Sequence, residues 1–325
     1  MYIGKLVMSD RRLKNLVSEH KKAVITMIIG LIARPIVAAI LVDYISITPN
    51  RLVKHLENGE VEEFNNERKQ VKQQIIFDGI DLSNKNLRGT NLQSLIIVHS
   101  NLSNANIENS NLTDVQISGD LSNTNLRNAD LSSADLANAD FNEAPRLTNA
   151  LLYDADLTKA ILFNTDLIDA ILFNASLTNA DLRSADLTDA ILDSADLTNA
   201  DLLNSDLINA DFDEASLRNA TLDDADLTNA NLNNTDLSGA NLAHASLKDA
   251  NLVGANLTHA DLFNVDLTNA DLRDPILTHA DLSLIKLNDS IFNCESLKTA
   301  NLTNNANQFH IVESINGSLK EVSSC

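Results

Sequence analysis

From about Asp81 to Asn304 the chain places a leucine at nearly every fifth position, and the residue two before it is usually alanine. From Ala180 it reads ADLRS, ADLTD, AILDS, ADLTN, ADLLN, SDLIN, ADFDE. An α-helix advances about 100° per residue and would spread a five-residue repeat around all its faces. A continuous strand alternates faces, so an odd period would send every second leucine to solvent. A chain that turns once per repeat satisfies all the leucines, because each short extended piece then presents its leucine to the same enclosed axis. The pattern therefore predicts an all-β solenoid.

The other positions agree. With leucine as the centre, the residue two before it is small, as a crowded inner position requires. The residue just before the centre is mostly Asp or Asn, and the two after it are mainly Thr, Ser, Asn, Asp and Arg. Asn and Asp bond their own backbone and tolerate unusual dihedrals, so a turn-rich chain manages with 9 Gly and 4 Pro.

At these residues the sequence resembles the pentapeptide-repeat family, whose motif is A(D/N)LXX. The resemblance implies a right-handed quadrilateral β-helix with four pentapeptides per coil and inward-facing centre and small residues. It also implies a common occurrence in bacteria. Eight centres run from Leu82 to Ile117, five from Leu121 to Phe141 and thirty-two from Leu147 to Leu302, which makes about eleven coils. The step from Ile117 to Leu121 is four residues, around Gly119, and that from Phe141 to Leu147 is six, around Pro145. Together they restore the register, and a bulge or slight bend is expected between the stacked segments.

Four segments follow: 1–47, 48–76, 77–306 and 307–325. Residues 1–22 form a basic lead-in, with Lys5, Arg11, Arg12, Lys14, Lys21 and Lys22 against Asp10 and Glu19. Residues 23–47 are almost wholly apolar and include Val24, Ile28, Ile32, Ile36, Ile40 and Ile45. Thirteen Ile, Leu, Val and Met residues between Val24 and Ile45 each favour insertion by about 0.3–0.6 kcal/mol, against about 3 kcal/mol for the central Arg34. A membrane-spanning or embedded segment is expected, with Pro35 kinking it. The positive excess before it favours a cytoplasmic N-terminus and repeats on the far side. The alternatives are a buried cap helix, which would leave the chain cytoplasmic, and a signal peptide. Thr48, Pro49 and Asn50 start a short helix carrying Leu52, Val53 and Leu56 that Gly59 stops. Val61, Phe64, Val71 and Ile75 share one helical face, making 61–76 the cap of the first coil. Phe309, Ile311, Val312 and Ile315 close the last coil or form a homodimer contact.

Charge adds a third signal. Residues 77–306 hold 35 acidic and 11 basic residues, a net of −24 in a chain of −21. Eleven coils at about 4.8 Å would span roughly 53 Å, or one net negative charge per about 2.2 Å. Duplex DNA carries one per about 1.7 Å. Similarity to the quinolone-resistance branch of the family would imply DNA mimicry and binding to DNA gyrase or another type II topoisomerase. Direct nucleic-acid binding is not expected. From Pro145 to Asn304, residues twenty apart share a side, and the four sides beginning at Leu147, Leu152, Leu157 and Leu162 carry −6, −6, −1 and −5. A cationic protein partner would meet an anionic surface from most directions.

Apolar residues interrupt this surface. Leu151, Tyr153, Ile171, Phe173 and Ile191 occupy outward slots on one side, and Ile161 with Phe163 lies on a nearby one. They mark a candidate partner patch, or a surface covered by the N-terminal segment. His259 and His279 stack at equivalent outward positions, but two exposed imidazoles without an organised carboxylate make a poor metal site. Cys294 and Cys325 define no disulfide framework. No phosphate loop, metal-spaced Cys/His set or partnered nucleophile emerges, so no catalytic site, metal or cofactor is assigned. The sequence thus points to an acidic interaction scaffold tethered to a membrane.

Overall fold

A computed structural model describes residues 49–71, 74–292, 311–315 and 318–322. The chain divides into two compact units, 1–51 and 52–325, and the second holds the repeats. The apolar segment 23–47, with Val24, Ile28, Ile32, Ile36, Ile40 and Ile45, lies outside the described residues, as do Cys294, Phe309 and Cys325. Among the described residues no helix is long and apolar enough to cross a membrane.

The repeats build a β-helix. One pentapeptide accounts for its own backbone: Leu187 N–H donates to the Asp206 carbonyl one coil on (2.7 Å), Asp206 N–H returns a bond to Ala185 (2.9 Å), and Asp189 N–H donates to Ile208 (2.9 Å). The turn closes through Ala190 N–H to the Leu187 carbonyl (3.0 Å). Each coil therefore pairs with the coils before and after it, and with Thr188 N–H bonded to Asp186 Oδ1 this pentapeptide leaves no backbone donor stranded. The closing turn holds its third residue at positive φ, 58° at Asp189 and 56° at Ser184, the left-handed geometry of a type II turn. Most positions of this kind are Asn or Asp, the two residues besides glycine that enter that region most readily.

Leucine centres and alanines two before them are buried along the described coils, with Phe141 and Phe212 replacing leucine at two centres. Where Ser or Thr takes the small position it also bonds inward: Ser205 Oγ donates to the Leu202 carbonyl (2.8 Å) and Thr124 Oγ1 to that of Leu121 (2.8 Å). A hydroxyl is thus admitted to the core with its donor met, Thr165 being the exception, its Oγ1 buried without a hydrogen-bond partner.

Coil spacing is read from parallel backbone pairing. It is twenty residues for Asp81 with Asn101, nineteen for Asn106 with Asn125, twenty-one for Asn125 with Arg146, and twenty from Arg146 with Asp166 onward. Both register steps in the sequence are therefore real, and the second cancels the first. The short coil borders a three-stranded parallel sheet of β1 (Ile76–Asp78), β2 (Ile96–Asn101) and β3 (Gln116–Asp120), where the pairing slips between Val98 and Ser100. His99, at φ 50°, is the bulged residue. Gly119 faces it so closely that an added Cβ would lie 2.2 Å from the Ser100 carbonyl oxygen. The long coil takes its extra residue at Glu143 and Ala144, both at positive φ, just before Pro145.

Two helices cover the first coil, α1 (Pro49–Asn58) and α2 (Val61–Arg68). Gly59, at φ 73°, ends α1 with bonds from Gly59 N–H to Leu56 (3.1 Å) and from Glu60 N–H to His55 (2.7 Å), a Schellman closure. Leu52, Leu56 and Phe64 are fully buried. The cap replaces a missing coil: Asn65 Oδ1 accepts Asn91 N–H (2.7 Å), its Nδ2 donates to Gly89 (2.9 Å), and Arg68 donates to Gln93 (2.7 Å). The expected helical face from Val61 to Ile75 is corrected here. Helix α2 stops at Arg68, because Gln70 and Val71 N–H turn back to Glu67 and Arg68, and Ile75 is buried from a non-helical position beside β1. At the other end, β4 (Asp271–Leu272) pairs parallel with β5 (Ile291–Phe292). An antiparallel hairpin of β6 (Ile311–Ile315) and β7 (Ser318–Val322) contains Ile311, Val312 and Ile315.

The close approach at Gly119 yields a test. Gly119→Ala should cost about 2–3 kcal/mol in urea unfolding, since backbone must shift to admit the methyl. At Gly79, where a Cβ meets nothing within 4 Å and φ is 66°, the same change should cost only about 1 kcal/mol. Equal costs would show that the short coil is not tightly closed.

Candidate interaction surface

Between inner positions, each pentapeptide turns three side chains outward, and the one just before the centre has a fixed task. Asp186 Oδ1 accepts Thr188 N–H (3.0 Å), and Asp226 Oδ1 accepts Thr228 N–H (3.0 Å). Asn does the same: Asn241 accepts Ala243 N–H (3.0 Å) and Asn251 accepts Val253 N–H (3.2 Å). For the turn, Asp and Asn are interchangeable.

Between coils they differ. Asn251 Nδ2 donates down to Asn231 Oδ1 (2.9 Å), and Asn231 Nδ2 in turn donates to Asp211 Oδ1 (2.8 Å). A carboxylate only accepts, so stacked Asp residues forgo this ladder. Asp166, Asp186, Asp206 and Asp226 are nevertheless paired one above another on a single side, about 4.8 Å per coil. Like charges at that spacing oppose each other. Their acidity exceeds what the turns require.

Some carboxylates are paired locally. Arg183 forks onto Asp181 with Nε–Oδ1 at 2.7 Å and Nη2–Oδ2 at 2.6 Å. The guanidinium holds the Asp181 carboxyl below the usual aspartate range, and the carboxylate raises the arginine in return. At Asp266, burial pushes the carboxyl up, but the Thr268 hydroxyl and N–H, with Lys286 and Lys248 nearby, more than offset it.

The apolar outward residues separate into two groups. Leu151, Ile171 and Ile191 pair in successive coils as one half-buried to exposed column, and Tyr153 and Phe173 stand beside it, 36% and 40% exposed. Ile161 and Phe163 are two turns further along a four-turn coil, so they lie across the coil from that column rather than next to it. Phe163 is partly covered, with the Arg183 guanidinium 5.7 Å from its ring centroid. Ile168 and Ile208, one turn before the column, are half-buried on its flank. Reading the sequence side by side missed them, because they follow a centre on the adjoining side and meet the column only at the corner.

His259 and His279 stack with ring centroids 4.9 Å apart and planes 23° from parallel. Among the described residues no group of three or more His, Cys, Asp or Glu is arranged to hold a metal ion.

The family model "Pentapeptide repeats" matches residues 75–114, 117–150, 230–269 and 266–304, and "Pentapeptide repeat region" matches 165–242. No curated protein matched. Among solved structures, the chain is similar to HetL, a pentapeptide repeat protein involved in heterocyst differentiation regulation in the cyanobacterium Nostoc. It is 32% identical, covering 72% of this chain and 93% of that one, with TM-score 0.38. QnrB1, a plasmid-mediated fluoroquinolone resistance protein, is 18% identical over 69% of this chain and 93% of its own, with TM-score 0.40. A pentapeptide repeat protein of the Arabidopsis thaliana thylakoid lumen is 34% identical over 33% and 71%, with TM-score 0.26.

The Asp181–Arg183 pair predicts a pH dependence. Its lowered carboxyl stabilises the fold above the unfolded aspartate value of about 3.9, and the benefit is lost as pH falls through the lower folded value. Asp181→Asn should cost about 0.2–1 kcal/mol at pH 7 in urea unfolding. The difference from the parent chain should vanish in strong acid. A cost independent of pH would assign it to the turn instead.

Proposed function

The chain belongs to the pentapeptide-repeat family, and from that premise we propose that it acts without catalysis as an acidic interaction scaffold, held at a membrane through residues 23–47. One observation carries the scaffold reading. Asp and Asn serve the turn equally, yet Asp is stacked in register on the same side, where it gives up ladder bonds and adds repulsion. The surplus charge has its use outside the coil, in drawing a cationic protein partner and speeding its encounter at low salt. Such a surface repels nucleic acid. The tether is supported by the apolar composition of 23–47 and the basic residues before it.

A second reading is favoured by charge density. With net −24 over residues 77–306, the acidic coils approach the charge spacing of duplex DNA. That would suit them to a DNA-binding surface such as that of a type II topoisomerase. The closing hairpin β6–β7 remains a candidate homodimer contact.

Washing separates the readings. Full-length protein should stay in the membrane pellet through high-salt and alkaline treatment. Release into the supernatant would remove the tether. Inhibition of gyrase supercoiling by the released protein at micromolar concentration would then establish the DNA-like role, and its absence would exclude it.

A further inference from the structure

The column of Leu151, Ile171 and Ile191, with Tyr153 and Phe173 beside it, sits on one of the most acidic sides of the coils. No Lys or Arg occurs in residues 149–154, 169–174, 189–194 or 209–214. Carboxylates frame it. Asp130 and Asp211 continue the column at its two ends, Asp169 and Asp189 belong to the turns along one edge, and Asp156 begins the adjoining side along the other. An apolar strip within an anionic frame selects its occupant by charge as well as by burial. A second copy would bring the same carboxylates against these, within a chain of net −21, and an anionic lipid surface would meet the same repulsion.

Spacing narrows the occupant further. The apolar rows repeat about every 4.8 Å, and an α-helix rises about 5.4 Å per turn. Over the two intervals of the column the mismatch is about 1.2 Å. A helix lying along the stack can set one apolar side chain against each coil, using positions i, i+3 or i+4 and i+7. Lysines and arginines flanking that stripe reach the carboxylates on both edges. We propose that this column is the docking site for a basic amphipathic helix of a partner protein, with Tyr153 and Phe173 as its anchors. The inference rests on the scaffold reading and gives it a location and a partner chemistry.

The test uses the full-length chain and a fluorescein-labelled amphipathic peptide of about fifteen residues built from Leu and Lys. A scrambled peptide of the same composition serves as comparison, with binding read by anisotropy. The amphipathic peptide should bind at least about tenfold tighter than the scramble, and Tyr153→Ser with Phe173→Ser should abolish that preference. Phe163→Ser, across the coil, should leave it intact, and added salt should weaken both peptides. A circular-dichroism melt of each variant verifies that the coils remain folded; the exposed sites make that the expected result. Equal binding of both peptides, unchanged in the double variant, overturns the docking site while the acidic scaffold stands. Failure of both peptides to bind at low salt overturns the scaffold as well. Self-association of the full-length chain that the double variant abolishes would assign the column to a second copy and overturn the proposal.

Discussion

A coil can stack on its neighbour only if it returns, after four turns, to the point directly above its start. The rest of the described structure depends on that closure. It decides that leucine follows leucine on the inner axis, that alanine fills the tighter inner slot, and that most backbone donors meet an acceptor in an adjacent coil. Repeated left-handed turn residues make closure possible, and Asn and Asp supply them where glycine would surrender more conformational entropy. A one-residue error shifts every later side chain, so the nineteen-residue coil must be answered by a twenty-one-residue coil. The bulge at His99, the close approach at Gly119 and the double turn at Glu143 and Ala144 together keep the leucines of the later coils in line with those of the first.

The same closure governs what was legible in the sequence. A five-residue leucine period reads directly as one turn per repeat, and both register steps show as a four-residue and a six-residue spacing. Gly59 as the stop of α1 is equally local, since one left-handed residue ends a helix. The extent of α2 was not legible. Val71 and Ile75 continue a helical spacing from Phe64, but after Arg68 the backbone leaves the helix to enter the first coil, a tertiary demand that periodicity does not record. The cap bonds of Asn65 and Arg68 were hidden for the same reason, because their partners lie 24 to 26 residues away. The apolar column was visible as residues twenty apart. Its relation to Ile161 and Phe163 depends on the four-turn coil, which sets residues two turns apart on opposite sides.

Asp and Asn carry the functional argument because the fold treats them alike at one task and unlike at another. Both accept the turn N–H. Asn also donates to the next coil, so a column of Asn is held by a ladder, whereas a column of Asp lacks that ladder and is strained by its charge. Solvent and salt keep that strain modest. An acidic surface therefore accompanies the turn motif without being demanded by it, and the apolar column gives the surface a place where charge and burial act together.

The most direct measurement replaces Asp186, Asp206 and Asp226 by Asn in the full-length chain and follows both urea unfolding and the salt dependence of polylysine binding. If the turns need only the shared oxygen and the charge serves the surface, stability should hold or rise by a few tenths of a kcal/mol per site. Polylysine should then bind more weakly and with a shallower dependence on salt. Loss of about 2 kcal/mol or more, with polylysine binding unchanged, would contradict the account by showing that the carboxylates are there to hold the coil.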